Sequence, residues 1–455
     1  MTIGDASMRA SRYNYFFKLE SGFHAGFNGV KQKFLRFNEE QYEIVRKIIA
    51  DPEGYQYATE AEKELKDSLS KTGFLIEDDL DELNLIRVKS TIDRFNAVRL
   101  RLTIAPTMNC NFRCIYCYES HKNEVMDDKV ANSLVEYVSR KSRTIRTLWV
   151  KWFGGEPLLK FDLMRELSKE FSEICEKNRI RFIATVLTNG YLLDAEVFSI
   201  LVEELSVKFI QVTMDGPREI HDRRRPLANG RGTFDKIMDN LREISRLKYN
   251  LPITIRVNVD KDNKEKALDI LDVLEENDLK DKVSIYFAPV APFTQFCPSL
   301  VRETFMPLSD FYRHEGFGTR FAETVERGFR LAQPPDIKGG WCSAIRFNSY
   351  IVVPGGDLYK CDNEIGVPGA SVGHIDEKGR LELKSNLLKW FSWAPWEQER
   401  CRECAFLPIC MGGCLYRRMK QIDEKGDDTP RCPELSHAVS KIRYLQHLAE
   451  LEGTL

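Results

Sequence analysis

With 455 residues, a formal net charge of −2 and 43% hydrophobic content, the chain is long enough for two or three domains with full cores. Neither sign of charge dominates, so composition gives no electrostatic reason to bind nucleic acid. No run of about 18 apolar residues is present to span a membrane, and the N-terminal MTIGDASMRASRYNYFF lacks the apolar core of a secretory signal.

Residues 12–90 predict a first module. Tyr13–Leu19 and Phe23–Phe37 read as strands separated by turn residues, with Gly26 and Gly29 marking bends. Asn38 caps the helix NEEQYEIVRKIIAD, whose first turn carries Glu39 and Glu40 where the helix dipole favours anions. Thr59 opens a second helix, TEAEKELKDSLSKTG, closed by Gly73. FLIEDDLDELNLIRVKSTIDRF reads as a short strand and a helix leading out. Together these describe a winged-helix-like module too small to hold chemistry. Its acidic EDDLDE run argues against the DNA binding that such a shape often suggests.

From residue 98 to about 300, strand and helix alternate, with strands at Val98–Ile104, Leu148–Phe153, Ile183–Leu187, Phe209–Thr213, Ile253–Val259 and Val283–Ala288. Helical stretches such as DDKVANSLVEYVSRKS lie between them, and Cys175 falls on one as a core residue. Alternation of this kind means a parallel sheet with helices outside, here an α/β partial (β/α)6 TIM-like barrel. The first strand breaks at Pro106 and delivers Cys110, Cys114 and Cys117, spaced C-x3-C-x2-C, on a loop. Tetrahedral zinc wants a fourth ligand, so three cysteines fit it poorly. They suit a [4Fe–4S] cube with one iron open to a small molecule. GGEP (154–157) follows the second strand, TNG (188–190) the third and TMDG (213–216) the fourth. All fall at the C-terminal strand ends, where parallel barrels build their active sites.

Residues 306–340 read as a helical linker ending in Pro334, Pro335 and two glycines. Seven of the twelve cysteines lie between 342 and 432, namely Cys342, Cys361, Cys401, Cys404, Cys410, Cys414 and Cys432. In a chain without a secretion signal, such clustering reads as metal binding in a reducing cytoplasm. Zinc pairs would also accept these sulfurs. FNSYIVVPGGDLYKC reads as alternating strand with a turn at PGGD.

CNFRCIYC resembles the cluster-binding loop of the radical S-adenosylmethionine (SAM) enzymes, and GGEP resembles their motif for the methionyl amino group. The resemblance implies that Cys110, Cys114 and Cys117 hold a [4Fe–4S] cluster whose open iron binds SAM, and that SAM cleavage yields a 5′-deoxyadenosyl radical. It implies that Tyr116 packs near the adenine, that Gly154 and Gly155 let backbone approach the ligand, and that Glu156 meets its ammonium. Asn189, Thr213, Asp215 and Arg256 are further SAM contacts on the same reading, each equally open to a structural role. Arg223–Arg225, in HDRRRPLANGRGTF, either closes over substrate or is solvated.

The C-terminal array resembles the SPASM extension of radical SAM enzymes that modify ribosomally synthesised peptides. Carried over, Cys342, Cys361 and Cys414 ligate a first auxiliary [4Fe–4S] cluster and Cys401, Cys404, Cys410 and Cys432 a second, three clusters in all. Seven cysteines are one short of two fully ligated cubes, so the first auxiliary cluster has an open iron or takes Cys297, which is otherwise a buried thiol. Asp362, directly after Cys361, stands where an aspartate serves as base in sulfatase maturases. The front module resembles a leader-recognition domain, to which a precursor peptide adds a strand at a sheet edge; a structural cap is the other reading.

The expected organisation is thus 1–92 recognition, 93–305 radical SAM barrel, 306–340 linker and 341–455 cysteine-rich SPASM domain. The expected function is a cytoplasmic peptide maturase forming a cross-link, first a cysteine thioether. Carbon–carbon linkage, epimerisation, residue oxidation and formylglycine formation in a sulfatase are the alternatives. Its expected partners are the precursor peptide and a reductant such as flavodoxin or ferredoxin, with no nucleic acid and no membrane.

Overall fold

A computed structural model describes residues 7–19, 22–119, 122–251, 253–290, 299–304, 324, 327–331 and 342–425. Cys297 and Cys432 lie outside the described residues, as does most of the expected linker. By packing, the described chain forms two compact units, one of residues 7–94 and 393–425 and one of 95–331 and 342–392. The stretch expected as 341–455 is therefore divided between them.

The first unit begins with β1 (Met8–Ala10), β2 (Asn14–Lys18), β3 (His24–Asn28) and β4 (Lys33–Phe37). It continues with α1 (Glu39–Ala50), α2 (Glu60–Lys71), β5 (Leu75–Glu77) and α3 (Glu82–Arg94). Strands β2, β3 and β4 make an antiparallel sheet in that order, and β1 pairs with β5. Helix α1 starts where expected: Gln41 N–H donates to Asn38 Oδ1 at 2.8 Å and Asn38 N–H to Gln41 Oε1 at 3.0 Å, a reciprocal cap. Gly26 is not a bend. It sits inside β3, where a Cβ would lie 2.7 Å from Phe74 Cε1, so the glycine admits the Phe74 ring onto the strand. The core gathers Phe37, Val45, Ile48, Leu69, Phe74 and Leu75. Residues 393–425 add three helices, Glu399–Arg402, Leu407–Cys410 and Leu415–Lys425. Trp396, Leu407 and Met411 bury against Tyr13 and Ile86, and Phe406 meets the Tyr15 ring at 4.7 Å.

The second unit runs β6 (Arg99–Ile104), α4 (Asp128–Lys141), β7 (Thr147–Trp152), α5 (Phe161–Lys177), β8 (Arg181–Thr188), α6 (Ala195–Glu203) and β9 (Val207–Thr213). Then come α7 (Arg218–Arg224), α8 (Phe234–Ser245), β10 (Ile253–Val259), α9 (Ile270–Glu276) and β11 (Val283–Pro289). Strands β6 to β11 are parallel and neighbours in chain order, the arrangement that strand–helix alternation predicts. Leu100, Leu102 and Ile104 are buried on β6, and α4 turns Ala131, Leu134 and Val138 into the core after Asp127 caps it. Cys175 is buried on α5.

The sheet extends beyond six strands at both edges. Within the expected linker, β12 (Arg330–Leu331) pairs parallel with β11. At the other edge β13 (Ser349–Val352) pairs parallel with β6, and β14 (Asp357–Tyr359), β15 (Gly373–Ile375) and β16 (Leu381–Leu383) follow antiparallel, making eleven strands. The hairpin expected at PGGD thus covers the β6 edge, whose backbone groups would otherwise stand open. Ala105, Met108, Ile351, Val353, Tyr359 and Ala370 bury one cluster there.

Candidate active site

Every loop singled out between 105 and 216 leaves the C-terminal end of a parallel strand. After β6, Met108 N–H donates to Glu124 O at 2.9 Å and the Thr107 hydroxyl to the same oxygen at 2.7 Å. These bonds pin the loop's two ends and present the residues between. Cys110, Cys114 and Cys117 are half-buried free thiols on it. Phe112 N–H donates to Cys110 Sγ at 3.4 Å, and Asn189 Nδ2 stands 3.9 Å from the same sulfur. Burial pushes the Cys110 thiol up to about 12 and raises those of Cys114 and Cys117 as well. Three soft donors on one short loop, with N–H groups aimed at a sulfur, fit an iron–sulfur cluster.

The GGEP loop docks on this one. Gly155 N–H donates to Thr107 O at 3.2 Å and Glu156 N–H to Asn109 O at 2.9 Å. A Cβ at Gly154, whose φ is +117°, would lie 2.4 Å from Thr107 O, and one at Gly155 would lie 2.3 Å from Asn109 O. The backbone that these glycines admit is that of the cysteine loop. Glu156 is buried and accepts from Thr188 Oγ1 (2.8 Å), Asn189 N–H (2.7 Å) and Leu158 N–H (3.0 Å). Burial lifts its carboxyl to about 7 against those donors. Asn189 Nδ2 then reaches Asn111 Oδ1 at 2.7 Å, so the ends of β7 and β8 are tied to the cysteine loop.

TMDG brings Asp215 to a buried position where Arg224 Nε donates to it at 3.2 Å and Asn258 N–H at 3.2 Å. Burial works against this carboxylate, but the Arg225 and Arg224 guanidinium groups hold its pKa below the usual value. Arg224 also grips Asp260 with both terminal nitrogens at 2.9–3.0 Å. The arginine run is neither uniformly solvated nor a lid: Arg223 is exposed, whereas Arg224 and Arg225 are buried. Sequence reasoning also missed that this segment pairs with the cysteine loop. Arg113 N–H donates to Pro226 O (2.8 Å), Ile115 N–H to Arg224 O (3.0 Å) and Ala228 N–H to Asn111 O (2.8 Å), and Phe112 bridges Leu227. The complementary run of backbone donors was present in both segments, but nothing local links positions so far apart.

Tyr116 is held through its hydroxyl, which accepts from Arg225 Nη1 at 2.6 Å and Asn258 Nδ2 at 3.0 Å. From Asn258 a polar row crosses the sheet: Arg256 Nε donates to Asn258 Oδ1 (2.8 Å), Arg256 Nη1 lies 3.5 Å from the Tyr286 hydroxyl, and that hydroxyl donates to Gln211 Oε1 (2.6 Å). Thr213 is in register with Arg256 on the neighbouring strand. Asn258, Tyr286 and Gln211 were not singled out from sequence. Asp362, after Cys361, pairs with Lys151 of β7 at 3.4 Å. Glu119 faces Asp362 and Glu156, and burial with those charges lifts its carboxyl to about 8.

Residues 104–281 match the Radical SAM superfamily. The chain carries a radical SAM region. Its radical SAM region thus contains the three-cysteine loop, the docked GGEP turn and both polar strand ends. The chain is similar to the cysteine-type anaerobic sulfatase-maturating enzyme of Clostridium novyi, 24% identical over 395 residues that cover 76% of this chain and 99% of that relative. It is similar to the serine-type anaerobic sulfatase-maturating enzyme of Bacteroides thetaiotaomicron, 26% identical over 75% of this chain and 87% of the relative. Among solved structures, native anSMEcpe with bound AdoMet and Cp18Cys peptide superposes with a TM-score of 0.58 at 20% identity, covering 78% of this chain and all of that one. Streptococcus suis SuiB bound to precursor peptide SuiA gives 0.51 at 15% identity over 91% of this chain and 97% of that one. These likenesses establish the shared fold.

Of the second cysteine set, Cys342 and Cys361 belong to the barrel unit, and Cys401, Cys404, Cys410 and Cys414 to the other. Lys360 is buried between the first two in sequence, and its Nζ donates to Arg346 O and Ser349 O, each at 2.6 Å.

Proposed function

We propose that this radical SAM enzyme matures a ribosomally made peptide, forming an intramolecular cross-link, first a cysteine thioether. The observation that carries the reading is the docking of the GGEP turn on the cysteine loop, in the unit that also holds the Lys151–Asp362 pair. With SAM and a [4Fe–4S] cluster bound to Cys110, Cys114 and Cys117, the site supplies hydrogen abstraction from carbon by a 5′-deoxyadenosyl radical. Glu156, Asn189, Tyr116, Thr213, Asp215 and Arg256 would shape the SAM pocket, directly or by holding its walls. Asp362, paired with Lys151, would take the proton of a substrate thiol. Thioether formation removes one hydrogen atom from carbon, one proton from sulfur and one electron. That electron would pass to an auxiliary cluster held by cysteines of the C-terminal set. A low-potential donor of the flavodoxin or ferredoxin kind would start each turnover.

Residues 8–94 would recognise the leader, since a three-stranded sheet ending at β4 can accept a further strand. The second reading is oxidation of a cysteine or serine in a sulfatase. It is favoured by the two sulfatase-maturing relatives described above, and on that reading Asp362 would take the substrate proton.

The test is anaerobic reconstitution followed by mass spectrometry of candidate precursor peptides and of a sulfatase-type cysteine peptide. Loss of two hydrogens together with the free thiol supports the thioether. An aldehyde in the short, leaderless peptide supports sulfatase maturation. Absence of 5′-deoxyadenosine under reduction overturns both.

A further inference from the structure

The buried arginine that backs the cysteine loop has no role in the reading above. Arg225 is 6% exposed and comes from the segment that pairs with the loop, so its neighbours are residues of the loop itself. Its Nη1 donates to Tyr116 at 2.6 Å, and its guanidinium carbon lies 5.6 Å from the Phe112 ring centre. Phe112 and Tyr116 flank Cys114, and Ile115 N–H is bonded to Arg224 O, so the guanidinium is held against the middle of the loop. Among the described residues its Nε has no hydrogen-bond partner. A buried guanidinium with an unused donor is costly unless something negative faces it. Arg224, next to it, has Asp260 and Asp215 as partners, so the two arginines divide the work. The ionised group facing Arg225 among the described residues is Asp215, whose carboxyl the Arg225 guanidinium helps hold below its usual range, and Arg225 stays protonated despite burial.

We infer that Arg225 is a positioning residue for electron entry: its fixed positive charge offsets the negative charge gathered at Cys114 when the three cysteines carry their cluster. This rests on the radical SAM assignment of Cys110, Cys114 and Cys117. One electron from an external donor, dithionite in the test, takes a [4Fe–4S] cube from the 2+ to the 1+ level and adds a negative charge. A nearby cation favours that reduced level, and net charge and hydrogen bonds at the sulfurs are what set such potentials. Arg225 therefore raises the potential at which the loop's cluster accepts its electron.

The experiment is a potentiometric titration of the reconstituted full chain, followed by electron paramagnetic resonance. The part of the signal that changes on adding SAM marks the cluster on this loop. R225M should shift its midpoint to more negative potential, so that a smaller share is reduced at a given dithionite poise. R225K should stay near wild type, and Y116F, which keeps the charge but loses the hydroxyl, should shift less than R225M. Iron content should be unchanged in all three, and SAM affinity unchanged in the two Arg225 variants. An unshifted midpoint in R225M overturns the inference while leaving the enzyme assignment standing. So does loss of iron in both R225M and R225K, because the side chain then serves the loop's fold and not its charge. A wild-type chain with no SAM-responsive signal fails the underlying assignment instead.

Discussion

Asn189 N–H donates to Glu156 Oε2 at 2.7 Å, while Asn189 Nδ2 donates to Asn111 Oδ1 at 2.7 Å. One asparagine at the end of β8 thus joins the turn after β7 to the cysteine loop after β6. Glu156→Gln would set an amide N–H group against the donors of Thr188, Asn189 and Leu158. The expected loss is about 1–3 kcal/mol for a buried polar group left with the wrong partner. Denaturant unfolding measures it, and iron analysis should show weaker retention at this loop.

Gly155→Ala places a methyl group 2.3 Å from Asn109 O, a backbone atom that cannot swing away as a side chain would. The cysteine loop must shift, and its cluster should be lost. Iron analysis should fall by about four per chain relative to wild type, the content of one cube. Unchanged iron with normal SAM cleavage would show that the close contact is dispensable.

Arg224→Met leaves Asp215 and Asp260 buried without their shared cation. Removing one partner of a buried charge network typically costs about 3–5 kcal/mol. The expected result is a marked drop in the unfolding midpoint, much larger than for exposed Arg223→Met.

His221 supplies a pH dependence of stability. Burial, aided by Arg225, pushes its imidazole down to about 3, so it is neutral in the fold. Its Nδ1 accepts from Asp215 N–H at 3.3 Å, and its Nε2 pairs with Thr233 Oγ1 at 3.1 Å. The unfolded chain binds a proton there below about pH 6.5, so stability from this group is full above that pH and is lost as pH falls toward 3. Between pH 7 and 5 the loss is about 2 kcal/mol. Urea unfolding of the cluster-free chain at the two pH values measures it, and H221Q should flatten the difference.

Asp362→Asn keeps the shape beside Lys151 but cannot take a proton. General-base loss of this kind lowers product formation by about 10²-fold or more. Production of 5′-deoxyadenosine should continue, because SAM cleavage does not require that base. Equal loss of both products would assign Asp362 to cofactor binding.

Strand–helix alternation from 98 to 300, the helix caps at Asn38 and Thr59, and the placement of CNFRCIYC, GGEP, TNG and TMDG after successive strands were all legible in the sequence. Each depends on residues close together: a periodic apolar face, a capping oxygen three residues from its donor, a break after a strand. The sequence determined in this way that three soft sulfur donors would stand at the C-terminal rim of a parallel sheet. Only the tertiary structure decided what surrounds them. Gly154 and Gly155 admit the cysteine loop, Arg224 and Arg225 are buried behind it, and Ser349–Val352 closes the β6 edge. Those outcomes depend on backbone donors, charges and open strand edges finding partners far away in sequence. A buried arginine and a solvated one have the same local pattern, and only the groups packed around each side chain tell them apart.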